Sequence, residues 1–342
     1  MPSDVLRRYG DQPVLEPRAG HWDAASTFNP GAILGDDGKV LMLYRAVTDL
    51  KPYVSRFGLA GSDDGRHFER LADEPVFEPQ AVCEVGGVED ARITREGEEF
   101  LVTYAAVSVV PGPAYEQVDF FRRAREDPTI ERPGMPPMGP SVTCLLRSKD
   151  LRSFEYQTTV TPPGIDDRDG VLFPEKVGGR YVLLHRPTSW VGRTYGTDKA
   201  AIWLAFSDDL VNWDYGTGPQ YLLMAPREAI AWERAKIGAG PPPVRTDAGW
   251  LMIYHGVDDR YVYRVGAALL DLDDPTNVLA RTDEFLMEPV LEWERVGVIP
   301  NVVFPTAAVL REGELLVYYG GADRVVGLAV AAVDELLGHL TG

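Results

Sequence analysis

Short apolar runs entered from acidic or Gly-containing turns dominate the chain, and one such phrase occurs five times. The first copies are Asp37-Gly38-Lys39-Val40-Leu41-Met42-Leu43-Tyr44, Glu96-Gly97-Glu98-Glu99-Phe100-Leu101-Val102-Thr103-Tyr104 and Gly178-Gly179-Arg180-Tyr181-Val182-Leu183-Leu184-His185. The last two are Asp247-Ala248-Gly249-Trp250-Leu251-Met252-Ile253-Tyr254-His255 and Glu312-Gly313-Glu314-Leu315-Leu316-Val317-Tyr318-Tyr319. A strand entered from a tight turn in this way is the mark of a β-hairpin. Upstream of each stands an apolar segment opened by polar or Pro residues: Phe28-Asn29-Pro30, Val88-Glu89-Asp90, Leu172-Phe173-Pro174-Glu175-Lys176, Ile237-Gly238-Ala239-Gly240-Pro241 and Val303-Phe304-Pro305-Thr306. Downstream comes a third strand carrying Ala or Gly, such as Gly58-Leu59-Ala60-Gly61 or Gly327-Leu328-Ala329. A short fourth strand with an aromatic (Phe68, Phe154 or Trp213) follows in most copies. Four strands per repeat and five repeats, at intervals of roughly 60–80 residues, predict an all-β five-bladed β-propeller with four-stranded antiparallel blades. The repeats tile almost the whole chain, so a single domain over 1–342 is expected.

Some segments fall outside this pattern. Residues 107–141 contain a Pro-rich stretch and the charged run Phe120-Phe121-Arg122-Arg123-Ala124-Arg125-Glu126-Asp127. This insertion is too long for a blade connection and too apolar for a flexible linker. It reads either as a surface excursion or homo-oligomer contact, or as a lid or acceptor-site wall over one end of the propeller. The phrases around Pro13-Val14-Leu15, Pro75-Val76-Phe77 and Pro289-Val290-Leu291 read as structural blade edges. The C-terminal 333–340 reads as a short helix or tail strand.

Composition narrows the function classes. The 342 residues include 7 Trp, 15 Tyr and 12 Phe, which excludes disorder as the main state. The net charge of −18 argues against nucleic acid as partner, because a phosphate backbone calls for a basic face. An anionic ligand must then be held by a local basic cluster working against the overall field. No apolar run approaches the roughly 20 residues that span a bilayer, so no membrane partner is expected. The charged N-terminus lacks the apolar core of a signal peptide. Two cysteines, Cys83 and Cys144, are too few for a disulfide framework. A cytoplasmic protein is the expectation.

The first strand of each propeller blade lines the central channel, so the five opening phrases bring Asn29, Glu89, Asp90, Glu175, Lys176, the 238–243 loop, Pro305 and Thr306 together. Charged residues at the openings of apolar strands are costly unless paired. Asp90 can be explained as an ion-pair partner of Arg92 or of a neighbouring blade, and Glu175 with Lys176 as a structural pair. Arg45, Arg186 and His255, however, each follow the aromatic or final apolar stretch of a hairpin phrase, and packing does not require them. With Arg168 and Lys236 they form a candidate cationic set. There is no dinucleotide fingerprint, no P-loop and no nucleophile elbow. His21, His67, His185, His255 and His339 show no metal-ligand spacing, so no metal is implied.

The motifs Phe28-Asn29-Pro30, Gly87-Val88-Glu89-Asp90-Ala91-Arg92-Ile93, Leu172-Phe173-Pro174-Glu175-Lys176, His185-Arg186-Pro187, Lys236-Ile237-Gly238-Ala239-Gly240-Pro241-Pro242, Tyr254-His255-Gly256-Val257 and Tyr319-Gly320-Gly321-Ala322-Asp323 together resemble glycoside hydrolase family 130. The resemblance runs from about residue 25 to 325 in order. Ala91 stands where that family usually has Pro. The family consists of five-bladed propellers, mostly β-mannoside phosphorylases with a minority of β-mannosidases. The resemblance implies inverting phosphorolysis of a β-mannoside oligosaccharide to α-mannose 1-phosphate. Inorganic phosphate is then the co-substrate, and no cofactor is needed. By similarity Asp90 is the general acid, relaying its proton through the sugar's 3-hydroxyl. Arg168, Arg186, Lys236, His255 and Tyr263 fall on phosphate-binding positions, and Asn29, Arg45, Glu175 and Asp323 on the sugar-binding side. An inverting hydrolase needs a second carboxylate as base, for which Glu175 or Asp169 is the candidate. The rival class is a sugar-binding propeller without turnover.

Overall fold

The computed structural model describes residues 4–50, 53–108, 141–162, 164–216 and 218–342. The lid, acceptor-wall and oligomer-contact readings of the insertion therefore fall, apart from its two ends, outside the described residues.

Each recurring phrase forms an antiparallel unit, and each unit contributes strands in sequence order. The first holds β2 (Ser26–Leu34), β3 (Val40–Val47), β4 (Ser55–Ser62) and β5 (Glu69–Arg70), preceded by β1 (Arg7–Arg8). The second holds β6 (Gly87–Glu96), β7 (Glu99–Val107), β8 (Ser141–Ser148) and β9 (Glu155–Thr159). The third holds β10 (Asp167–Leu172), β11 (Tyr181–Pro187), β12 (Ile202–Ser207), β13 (Trp213–Asp214) and β14 (Leu222–Met224). The fourth holds β15 (Lys236–Ala239), β16 (Val244–Thr246), β17 (Gly249–Val257), β18 (Tyr263–Leu270) and β19 (Val278–Arg281). In the fifth, β20 (Val303–Arg311), β21 (Glu314–Gly321) and β22 (Val325–Ala332) are completed by β1, which pairs with β22 through Arg7–Val330 and Arg8–Ala329. The start of the chain thus closes the last sheet. The first two units join into one sheet through a single parallel pair, Ser55 with Gly87. The Pro phrases make one antiparallel bridge each onto a third strand: Leu15 to Val326, Phe77 to Phe57 and Met287 to Val265. The C-terminal segment is a helix, Val333–Thr341.

The Gly of the third strand has a steric reason. Tyr44, Tyr254 and Tyr319 lie opposite Gly58, Gly266 and Gly327 in register. A Cβ on Gly58 would stand 2.2 Å from the Tyr44 ring, and one on Gly327 2.3 Å from that of Tyr319. Each ring lies flat on the neighbouring backbone and sends its hydroxyl to a buried carboxylate: Tyr254 to Glu233 at 2.7 Å, Tyr319 to Glu294 at 2.8 Å. Tyr104 does the same to Glu84 in the second unit, opposite the small Cys144.

The core is divided among the units. Leu43, Phe57, Val88 and Tyr104 pack the first against the second, and Leu101, Leu145, Leu172 and Leu183 the second against the third. Val171, Leu184, Ile237 and Trp250 join third and fourth, and Ile253, Val265, Val317 and Tyr319 fourth and fifth. Met42, Tyr44, Leu316 and Tyr318 then join the fifth to the first. Fully burying side chains of this size is worth about 1.5–3 kcal/mol each, so these shared layers hold the units they join against one another.

Candidate active site

The first strands do not run straight. Pairing of β2 with β3 breaks between Phe28 and Gly31, that of β6 with β7 between Glu89 and Arg92, and that of β10 with β11 between Arg168 and Val171. A residue in left-handed conformation sits at each break: Asn29 (φ 42°), Asp90 (φ 54°) and Asp169 (φ 53°). Asn and Asp tolerate this region better than other residues with side chains, and a bulge re-aims the side chain it carries. β20 slips at the corresponding point, between Pro305 and Ala307. In the fourth unit the first strand is split into β15 and β16, and Gly240 bonds to Ile253 between them. One backbone device, repeated, therefore presents polar side chains from successive units to one region.

Asn29, Arg45, Glu89 and Asp90 meet there. Asn29 Nδ2 donates to Asp90 Oδ1 at 2.9 Å, and Arg45 Nη1 donates to the same oxygen at 3.0 Å. Arg45 Nη2 donates to Glu89 Oε1 at 2.5 Å and to the Tyr53 hydroxyl at 3.4 Å. Its guanidinium also lies over the Phe28 ring, 4.6 Å from the centroid. Arg92 fixes the backbone below: Nη1 donates to the Asp90 carbonyl at 2.5 Å and Nε to the Gly240 carbonyl at 2.7 Å. Arg92 is thus a partner of the Asp90 main chain, and Arg45 is the partner of its carboxylate. Asp323, in the turn after β21, also holds a left-handed conformation (φ 52°). Burial pushes its carboxyl up to about 7, Arg45 opposing and Asp90 and Glu89 adding to the rise.

The cationic residues gather beside this group. Arg168 approaches Glu89 Oε2 and Asp166 Oδ1, each at 3.8 Å. Arg186 Nε donates to Asp169 Oδ2 at 2.6 Å, and His255 Nε2 stands 3.8 Å from the same oxygen. Gly238 is small because it must be: a Cβ there would come within 2.1 Å of Asp169 Oδ2 and 2.4 Å of the His255 ring. His255 is held between Tyr263, stacked at 5.6 Å, and the edge of Phe304 at 4.7 Å. Neither of its ring nitrogens has a hydrogen-bond partner among the described residues. Burial pushes His255 down to about 3 despite Asp169, so the ring is neutral at pH 7. Lys236 Nζ donates to the Tyr263 hydroxyl at 2.7 Å. Burial, together with the positive charge of Arg186, brings that lysine down to about 7. Asp169 is also buried, but the Arg186 guanidinium bonded to it holds it well below the usual carboxylate range.

Glu175 is a correction to the sequence reading. The first strand of the third unit is Asp167–Leu172, so its inward bulge residue is Asp169, and Glu175 lies beyond the other end of the strand. It is exposed on the outer turn, 3.7 Å from Arg245, and Lys176 beside it covers the Tyr181 ring. The other nine predicted positions lie in the polar group just described. Glu89 and Asp167 receive no role from the sequence. Asp167 is fully buried, bonded to His185 Nδ1 at 2.7 Å and to the Arg186 backbone N–H at 2.9 Å. His185 is accordingly the structural histidine and Arg186 the inward one. The signal for these residues was an acid flanking each bulge position, in Glu89-Asp90 and in Asp167-Arg168-Asp169. Among the described residues no three His, Cys, Asp or Glu side chains are grouped to hold a metal, and no helix is long and apolar enough to cross a membrane.

The chain resembles proteins of one kind over nearly its whole length. A 1,2-β-oligomannan phosphorylase of Thermoanaerobacter sp. is 39% identical over 338 residues, 97% of this chain and 98% of that one. A β-1,2-mannobiose phosphorylase of the same organism is 36% identical, with 97% and 98% covered. The solved β-1,2-mannobiose phosphorylase of Listeria innocua, in complex with β-1,2-mannobiose, superposes with a TM-score of 0.78 at 27% identity, covering 98% of this chain and 99% of that one. The family model described as β-1,4-mannooligosaccharide phosphorylase matches residues 16–341, and on these grounds the chain belongs to glycoside hydrolase family 130.

Proposed function

We propose that the protein is a glycoside phosphorylase that cleaves β-mannosides with inorganic phosphate, releasing α-mannose 1-phosphate and a shortened acceptor. The observation that carries this reading is the collection of Arg168, Arg186, Lys236, His255 and Tyr263, which reaches the Glu89–Asp90 pair through Arg168, in a chain of net charge −18. The similarity to β-1,2-oligomannan and β-1,2-mannobiose phosphorylases favours the β-1,2 linkage. A single domain closed into a five-bladed propeller is our reading of the fold, supported by core layers that join each unit to the next and the fifth to the first.

In this mechanism a phosphate oxygen attacks the anomeric carbon while the bond from that carbon to the leaving oxygen breaks. Asp90 supplies the proton that the leaving oxygen takes up. The arginines hold the phosphate in line, their planar forks matching its oxygens in pairs. Neutral His255 can donate one hydrogen bond without adding charge, and Lys236 supplies a point charge while protonated. Asn29, Arg45 and Asp323 face the mannosyl ring. Phosphate, as co-substrate, is the only reagent the reaction requires.

Hydrolysis has no suitable base among the two carboxylates named for it. Glu175 is on the outer turn, and Asp169 is stabilised as an anion by Arg186, which weakens it as a proton acceptor. The experiment is incubation with β-1,2-mannobiose, with and without phosphate. Mannose 1-phosphate is expected only with phosphate, and at a lower rate from β-1,4-mannobiose. Equal release of free mannose in both arms rejects phosphorolysis.

A further inference from the structure

We propose that Asp166 and Asp167 are positioning residues for phosphate: together they close the mouth of the β10–β11 hairpin and set the gap between Arg168 and Arg186. This inference rests on the phosphorolysis reading, in which both arginines hold the co-substrate. The two arginines stand directly opposite each other in the register of β10 and β11, and both are buried. Like charges directly opposite on neighbouring strands are destabilising, and burial withholds the water that would screen them. The pair repels itself, so its width has to be fixed from outside. Carboxylates hold the charged heads: Asp169 accepts from Arg186 Nε at 2.6 Å, and Arg168 lies 3.8 Å from both Glu89 and Asp166.

The backbone of β11 offers no ladder donor at the same point. The Arg186 N–H turns to Asp167 Oδ1 at 2.9 Å, and Pro187, opposite Asp167 in register, has no N–H. Asp167 is fully buried and uses its other oxygen to accept from His185 Nδ1 at 2.7 Å. Trp190 and Tyr215 pack that ring at 5.5 and 6.0 Å. One carboxylate on β10 thus grips two consecutive residues of β11. Asp166 repeats the device one step outward. Its Oδ2 accepts from Thr188 Oγ1 at 2.9 Å, and its carbonyl accepts from the Thr188 N–H at 2.9 Å. Its Oδ1 accepts from the Ser141 N–H at 2.8 Å and the Ser141 hydroxyl at 2.9 Å. The adjacent acids therefore bind β11 on both sides of Pro187 and anchor the hairpin to β8 of the second unit. Their effect on phosphate passes through the two arginines.

The sign of the effect separates positioning from charge. A carboxylate acting only through its field repels phosphate, so its removal would lower the phosphate KM; removal of a positioning carboxylate raises it. The measurement is kcat with the KM of phosphate and of β-1,2-mannobiose at neutral pH, with thermal melting to establish folding. Asp167→Ala is expected to raise the phosphate KM about tenfold and to leave the mannobiose KM within about twofold. Thr188→Val, which takes one bond from Asp166 and alters no charge, should raise the phosphate KM about threefold. The effect should vanish without Arg186: in an Arg186→Ala background, D167A is expected to add less than about twofold. A phosphate KM unchanged or lowered in D167A, a loss shared equally by kcat and both KM values, or full additivity with R186A overturns the inference. Should D167A fail to fold, T188V decides alone: an unchanged phosphate KM overturns it. A wild type without phosphate-dependent turnover rejects the underlying function instead, and the two failures are distinct.

Discussion

Asp90 and Asp169 occupy the same place in successive units, yet their surroundings give them opposite characters. Both stand in left-handed bulges where the first strand of a unit pairs with the second, with φ of 54° and 53°. Asp90 receives one amide N–H and one N–H of an arginine that Glu89 also engages, and its side chain remains 20% exposed. Asp169 is 5% exposed and bound through Oδ2 to Arg186, with His255 close by. The first environment leaves a carboxyl open to the site, as the proton donor of the proposed mechanism requires. The second makes a fixed anion that orients cations. The repeat supplies the position, and the neighbours supply the role.

The widest separation between the two should come from removing each carboxylate. Asp90→Asn is expected to lower kcat by roughly 10²–10⁴-fold, the usual worth of a general acid, with an unchanged melting profile. Asp169→Asn should cost kcat at least about ten times less and act mainly on the phosphate KM, since it loosens Arg186 without removing the acid. Equal losses of kcat from both would mean that the twin bulges share one function.

Next in size is the contrast between the arginines on either side. Arg186→Ala and Arg168→Ala should each raise the phosphate KM about 10- to 150-fold, the equivalent of a lost charge-assisted hydrogen bond of about 1.5–3 kcal/mol. Lys at either position should restore only part of the loss, because it keeps charge without the fork. Arg45→Ala should act on the mannoside and on kcat instead. Phosphate titrations of both Ala variants that match wild type would reject the phosphate assignment.

The sequence made the repeats legible because hairpin turns and buried aromatic runs are local signals. Tyr44, Tyr254 and Tyr319 end their phrases for a packing reason that needs only the neighbouring strand. The site was legible where a polar residue interrupts an apolar run, as at Asn29 and Asp90. It was misread at Glu175, because Leu172-Phe173-Pro174-Glu175 imitates an opening phrase while the strand actually begins at Asp167. Bulges are set by pairing with the second strand, which spacing along the chain does not encode. For the same reason Glu89 showed no role: its meaning depends on Arg45 and Arg168, which come from other units.

A smaller effect, of up to about tenfold per pH unit, should separate the phosphate side from the acid side by titration. Lys236 is brought down to about 7 by burial and Arg186, so it is a cation below that pH and neutral above it. Phosphate affinity that relies on this charge should be complete below pH 7 and weaken as pH rises. The phosphate KM of wild type should therefore climb between pH 7 and 8, and that of Lys236→Gln should start high and change less. Identical slopes in the two proteins would remove Lys236 from the phosphate site.

The smallest effect is expected at Glu175, and it tests where the site ends. Its carboxylate is exposed, and its ion-pair partner among the described residues, Arg245, is 3.7 Å away with both side chains more than half exposed. Exposed pairs of this kind contribute about 0–1 kcal/mol, and screening by salt reduces even that. Glu175→Gln should then keep kcat and both KM values within about twofold of wild type and shift the melting temperature little. The sequence motif places this residue beside Phe173 and Pro174 at the opening of a strand, where it would serve as a base for water. The observed register opens the strand at Asp167 and puts the inward bulge position six residues before Glu175, at Asp169. A loss of more than about tenfold in E175Q would return Glu175 to the reaction, and with it the hydrolytic route that Asp169 is too firmly paired to serve.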